Sequence, residues 1–76
     1  MRNRILSTIG RVMEVPPESL SDESSPENVA KWESLRHMNL MMALEQEFDI
    51  RFTDEQIMEM VNVRKIANTV AELVNS

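Results

Sequence analysis

Ser34 and His37 are the residues of this chain whose types and spacing could do chemistry. They lie three positions apart, so on a helix their side chains are neighbours. A serine beside an imidazole is the nucleophile and base of many hydrolases, which also need a group that orients the imidazole and an oxyanion site. A small open surface offers neither. We therefore predict no catalytic activity and a partly buried, structural role for His37.

Ser34 allows two further interpretations, because it stands at the start of a run of residues with helical periodicity. A serine in this position commonly caps the helix by accepting a hydrogen bond from a backbone amide. The same position also suits a phosphate group attached to the hydroxyl, since a helix N-terminus offers free N–H groups and the positive end of the dipole. The residue by itself leaves both interpretations open.

The helix that must position Ser34 has two apolar stripes. The stripes appear when the residues are placed around a helix at about 100° per residue. The wider stripe is predicted to face the core and consists of His37, Leu40, Met41, Leu44 and Phe48. The second stripe lies beside Ser34 and Glu45, and consists of Leu35, Met38 and Met42. A helix with one buried face does not require this second stripe, which therefore predicts contact with a partner. The alternative is that Met38 and Met42 pack beneath a long loop.

The periodicity of the whole chain predicts an all-α fold. We expect a small four-helix bundle with three principal helices, one short helix and a long loop between helices one and two. The predicted helices cover residues 2-14, 34-48, 54-61 and 63-75, within one domain of residues 1-76. Thr53 or Asp54 is placed to cap the short helix.

The long loop begins at Pro16 and Pro17, because a proline disfavours helical geometry in the residue before it. A connection of this length is unusual in a compact domain and is often functional when ordered. Leu20 is predicted to attach it to the core. Trp32, at its end, is predicted either to brace the loop against the core or to meet a partner.

Charge and composition narrow the function classes. The formal net charge is −5, with 13 acidic against 8 basic residues. An acidic chain is poorly suited to bind the phosphate backbone of nucleic acid. Its charge either favours basic protein partners or only keeps a small domain soluble. The basic residues Arg2, Arg4 and Arg11 are predicted to form a solvated helix face.

The absence of cysteine and the single histidine argue against a metal site, and the single glycine against a glycine-rich phosphate loop. No apolar run approaches the ~20 residues that a membrane span requires. Nor does the basic start of the chain precede a continuous apolar segment of the kind found in signal peptides. We predict a monomer in the cytoplasm.

The residues around Ser34 resemble a known family. Ser34-Leu35, followed by Met41-Met42-Ala43-Leu44-Glu45-Gln46-Glu47-Phe48-Asp49-Ile50, is similar to the modification-site helix of acyl carrier proteins. That family has an Asp-Ser-Leu core and, downstream, a Leu-Glu-x-x-Phe-x-Ile pattern. The resemblance extends to the order of helices along nearly the whole chain.

The resemblance implies that 4′-phosphopantetheine, donated from coenzyme A by a phosphopantetheinyl transferase, is esterified to Ser34. The thiol of this arm would carry an acyl or aminoacyl group as a thioester. The further partners would be a loading ligase or transferase and downstream biosynthetic enzymes. By position in the family, the partner-binding residues would be Glu33, Leu35, Met38, Met42, Glu45 and Glu47.

Four positions depart from the family pattern, and one of them is Trp32, which is unusual there. Glu33 replaces the usual aspartate, Arg36 stands where an acid is common, and Asn39 stands where fatty-acid carriers tend to have glutamate. These departures predict a dedicated carrier in a specialised pathway, such as secondary metabolism or surface-polysaccharide modification. The alternative is a small acidic helical interaction module that bears no prosthetic group.

Overall fold

The fold is built from helices alone within residues 1–75, the part of the chain that the computed structural model describes. The helices are α1 (Arg2–Met13), α2 (Ser34–Phe48), α3 (Asp54–Glu59) and α4 (Val63–Val74), and a single 3₁₀ turn lies at Pro17–Ser19. The predicted all-α class, with three principal helices and one short one, is confirmed. Ser76, the last residue of the predicted domain, lies outside the described residues.

Three helices end earlier than predicted, and the backbone shows where. Glu14 ends α1 in the left-handed conformation, with φ of 60°. The short helix α3 was expected to continue through residues 60 and 61. It ends at Glu59, because the backbone of Met60 is no longer helical. Asn75 is the C-cap of α4 and not its last helical residue.

The capping of α3 follows the prediction. The Thr53 hydroxyl accepts a hydrogen bond from the Gln56 amide over 3.1 Å. The Gln56 side chain in turn accepts one from the Thr53 amide over 2.9 Å. This reciprocal capping box satisfies two backbone donors at the start of a helix that is too short to be stable by itself.

The core lies between α1, α2 and α4. Its fully buried aliphatic and methionine side chains include Ile9, Met13, Leu40, Leu44, Met60, Val63, Ile66 and Val70. On α2 the predicted core stripe is buried at Leu40, Met41 and Leu44 and half-buried at His37 and Phe48. The packing of α2 therefore leaves its other apolar stripe without a place in the core.

The connection between α1 and α2 is tied to the bundle by buried side chains and by its own backbone. Leu20 and Trp32 are buried in the core, which confirms the predicted role of Leu20. The carbonyls of Asp22 and Ser24 accept hydrogen bonds from the Arg64 and Val63 amides, over 3.1 and 3.0 Å. The long loop thus caps α4, and its order places Trp32 at the entrance to α2.

Gly10 allows this connection to turn closely against α1. Its carbonyl accepts a hydrogen bond from the Val15 amide over 3.0 Å. A Cβ atom at Gly10 would lie 2.7 Å from the Val15 carbonyl oxygen. Because backbone cannot move aside as a side chain tip can, the turn after α1 requires glycine here.

Candidate functional site

Ser34 is the first residue of α2, and its neighbour Glu33 is the N-cap. The Glu33 carboxylate accepts a hydrogen bond from the Arg36 amide over 2.7 Å. The interpretation of Ser34 as the N-cap is therefore wrong. Ser34 is exposed, and its hydroxyl makes no hydrogen bond to any residue within 1–75. The local structure leaves this hydroxyl free to react.

His37 holds two other elements against α2. The Trp32 indole N–H donates to His37 Nδ1 over 3.0 Å, and His37 Nε2 lies 3.0 Å from the Ile57 carbonyl oxygen. Because Nδ1 accepts, the neutral ring carries its hydrogen on Nε2, and this N–H donates a hydrogen bond to that carbonyl. Neither ring nitrogen is left to accept a proton from Ser34. The nucleophile and base of a hydrolase are therefore not assembled here.

Trp32 braces the loop, which decides between the two predicted roles. Its side chain is only 2% exposed and belongs to the core. Its ring stacks on that of His37, with centroids 6.3 Å apart and planes at 21°. An indole held in this way has little surface left for a partner.

Beside Ser34 lies an open, largely apolar groove with a volume of about 510 Å³. It runs between the start of α2, the end of the long loop and α3. Its lining residues are Pro26, Trp32, Glu33, Ser34, His37, Met38, Ile57, Met58 and Val61. A group attached to the Ser34 hydroxyl would therefore have an apolar surface next to it.

Exposed hydrophobic side chains lie in and beside this groove: Met38, Met58 and Val61 line it, and Leu35 and Met42 belong to the same stripe of α2 as Met38. Leu35 is 69% exposed, and Met38 and Met42 are about half exposed, so the long loop does not cover them. The same surface includes Met58, which is 77% exposed, and Val61. We call these five residues the apolar face. Its α2 members were predicted from their spacing.

Met58 and Val61 were missed by sequence reasoning. Val61 was expected within a longer α3; the helix ends at Glu59, and Val61 lies beyond it and is exposed. Met58 directly follows Ile57, so the two side chains point to different sides of α3, and Met58 is exposed whereas Ile57 is half-buried. An apolar residue on a second side of this short helix was the available signal.

The structure does not bring all the predicted acidic residues to Ser34. Glu33 lines the groove. Glu45 is half-buried, and its carboxylate accepts a hydrogen bond from the Phe52 amide over 2.8 Å. Glu47 lies on the α1 side, where Arg4 contacts its carboxylate at 3.0 Å and also stacks over the Phe48 ring. Of these three carboxylates, only that of Glu33 lies at the groove beside Ser34.

Arg36 also turns toward α1. Its guanidinium donates to the Val12 carbonyl over 2.8 Å and to the Glu14 carboxylate over 3.2 Å. Lys31 pairs with the same carboxylate. Hydrogen bonds from Lys31 and Arg36 hold the pKa of Glu14 below its ordinary value. The positive charge of Arg36 is therefore directed to the end of α1, away from the apolar face.

Other kinds of site find no support in the described part of the chain. Residues 1–75 contain no cluster of His, Cys, Asp or Glu side chains placed to hold a metal ion. No helix among them combines the length and hydropathy that crossing a membrane requires.

A small helical bundle that presents a free serine hydroxyl at a helix N-terminus, beside an apolar groove, has the features of a carrier domain. The family model described as phosphopantetheine attachment site matches residues 3–70. The chain belongs to this family, as its resemblance to acyl carrier proteins implied. It is thus a non-catalytic carrier whose prosthetic group is 4′-phosphopantetheine. This decides against the alternative of an interaction module without a prosthetic group.

A solved structure agrees with this assignment. The fold is similar to that of a holo acyl carrier protein from Geobacter metallireducens, determined by solution NMR, with a TM-score of 0.87 and 26% sequence identity. The alignment covers 97% of this chain and 85% of that one. The predicted carrier fold is confirmed over almost the entire described chain.

Proposed function

We propose that Ser34 is the residue that bears the phosphopantetheine arm. The observation that carries this assignment is its exposed hydroxyl at the first position of α2, free of hydrogen bonds within residues 1–75. The Glu33 carboxylate accepts a hydrogen bond only from the Arg36 amide. The backbone amides that precede Arg36 in the first turn of α2 therefore remain available to a phosphodiester on Ser34. The apolar groove offers a surface to the rest of the arm.

The arm supplies a thiol that carries acyl groups as thioesters. The protein's part is to tether this thiol and bring it to successive enzymes, since tethering raises the effective concentration of a bound intermediate. The partners of this family are a phosphopantetheinyl transferase and the enzymes of a biosynthetic pathway. We propose that an acyl- or aminoacyl-loading ligase or transferase is among them. A cytoplasmic location and a monomeric state remain predictions.

The intact mass of the purified protein tests the assignment of Ser34. After incubation with coenzyme A and a broad-specificity phosphopantetheinyl transferase, we expect a gain of one phosphopantetheine that peptide mapping places on Ser34. A folded protein that gains no mass with several transferases would contradict the proposal.

We further propose that the apolar face is where partner enzymes dock. Three of its five residues are methionines, whose flexible and polarizable side chains adapt to differently shaped partners. Glu33 and the partly exposed Glu45 add negative charge beside it, in a chain with net charge −5. Glu47 is not included, because Arg4 engages its carboxylate on the other side of α2.

The substitution Met38→Glu is expected to lower kcat/KM of phosphopantetheinyl transfer roughly tenfold or more, because it places a charge in the centre of the docking surface. The melting temperature should stay close to that of the wild type, since Met38 is 47% exposed. Val74→Glu is the matched control, because Val74 is an apolar residue of similar exposure at the end of α4. Equal losses in both variants would contradict docking at this face.

The pathway is proposed to be a specialised one. Asn39 is exposed on α2 and is uncharged at a position where fatty-acid carriers tend to have glutamate. Glu33 stands before the serine in place of the usual aspartate. Arg36 supports this argument less than a basic residue at that position in the sequence suggested, because its guanidinium faces Glu14 at the end of α1 and not the apolar face. We expect the protein to support fatty-acid elongation poorly in a reconstituted synthase. Elongation as efficient as with that synthase's own carrier would overturn this proposal.

A further inference from the structure

The inner wall of the groove is held by a bridge of hydrogen bonds, which we call the Trp32–His37–Ile57 bridge. Each residue comes from a different element: the end of the long loop, α2 and α3. The two hydrogen bonds are each 3.0 Å long and use both nitrogens of the imidazole. The bridge thus fastens the loop and α3 to the same turn of α2.

The bridge stands between the groove and the core. Trp32 and Ile57 both line the groove, and both pack in or against the core cluster. His37 joins them across the gap. On the core side, Leu40, Leu44, Met60 and Ile66 are completely buried. An acyl chain passing from Ser34 into the bundle by way of this wall must separate the three residues.

Such a separation is unfavourable, because it leaves polar groups without partners. The indole N–H is buried and has His37 Nδ1 as its acceptor, and the Ile57 carbonyl loses the donor on Nε2. A buried donor or acceptor that loses its partner is not compensated by water. An alkyl chain offers neither a donor nor an acceptor to replace the imidazole.

We infer that the Trp32–His37–Ile57 bridge closes the interior of the bundle to the cargo. This inference rests on the proposed attachment of the arm at Ser34. The cargo then stays in the open groove, where part of it faces water. Short or polar acyl groups tolerate that exposure, whereas each added methylene of a long alkyl chain makes it less favourable. His37 is in this sense a specificity-determining residue, although it takes no part in a reaction.

The experiment compares the acetyl and octanoyl forms of the loaded wild-type protein. Trp32 is the single tryptophan of the chain, so its indole N–H gives one NMR signal that reports on the bridge. We expect the indole N–H to be equally protected from exchange with solvent, and the melting temperature to be the same, in both forms. Loss of that protection in the octanoyl form alone, with a higher melting temperature, would show that the chain separates the bridge and enters the bundle, and would overturn the inference.

Two variants test the part played by His37. His37→Phe keeps a ring but removes both hydrogen bonds, so its octanoyl form should melt at a higher temperature than its acetyl form. His37→Gln retains an acceptor and a donor and should behave as the wild type does. If neither variant shows the octanoyl-specific rise in melting temperature, or if both variants show it, closure by these hydrogen bonds is contradicted. If His37→Phe does not fold, the wild-type comparison still decides the inference.

The mass of each loaded form is measured first. Failure to attach the arm contradicts the proposed role of Ser34 and is visible at that stage. Failure of the inference appears only afterwards, as penetration of the octanoyl chain in correctly loaded protein. The two failures are therefore distinguishable.

Discussion

Ser34→Ala is expected to leave the protein with no phosphopantetheine at all. The substitution removes the oxygen to which the phosphate is esterified, and the other residues that line the groove carry no hydroxyl group. The fold should be retained, since Glu33 and not Ser34 caps α2. We expect the free energy of unfolding to change by less than about 0.5 kcal/mol, as for other exposed substitutions. Intact mass after incubation with coenzyme A and transferase measures the first effect, and urea unfolding the second.

The matched control is Ser7→Ala, which removes an exposed serine hydroxyl from α1. This variant should gain phosphopantetheine at the wild-type rate. A gain of mass in folded Ser34→Ala would place the attachment site elsewhere and would also remove the basis for assigning the groove to the arm.

Trp32→Ala is expected to lower the free energy of unfolding by about 3–5 kcal/mol, the usual cost of removing a large buried aromatic side chain. The variant loses the indole from the core and the hydrogen bond to His37, and it frees the end of the long loop. A domain of this size has only about 4–11 kcal/mol of stability in total. Much of the protein should therefore be unfolded or close to unfolding, as measured by the midpoint of urea denaturation.

Met42→Ala is the control for this effect, because it shortens a side chain that is about half exposed on the apolar face. Its midpoint should stay near that of the wild type. If Trp32→Ala kept the wild-type midpoint but lost a partner's activity, the alternative prediction, that Trp32 meets a partner, would be restored.

Much of the fold could be predicted from local pattern. Apolar spacing located every helix, because burial of one face requires a period close to 3.6 residues. The side chains of Thr53 and Gln56 determine the start of α3, since capping depends on residues only three positions apart. The exposure of Met38 and Met42 also followed from angular position on α2, once the wider stripe had been assigned to the core.

The resemblance to acyl carrier proteins pointed to Ser34 and its prosthetic group, and family membership supports the latter. The partner-binding residues that it implied remain predictions. Position in a motif places Glu47 in the modification-site helix, but it does not specify which neighbouring helix that side chain faces. Arg4 of α1 determines this through the ion pair and its stacking on Phe48.

The sequence by itself determined the helices, the two stripes of α2 and the serine at its start, all of which depend on residues within a few turns of one another. Only the tertiary structure decided that His37 joins Trp32 to Ile57, that Arg36 faces Glu14, and that Met58 extends the apolar face. The physical reason is that helical periodicity fixes the direction of a side chain around its own axis. The partner it meets there depends on how distant segments pack.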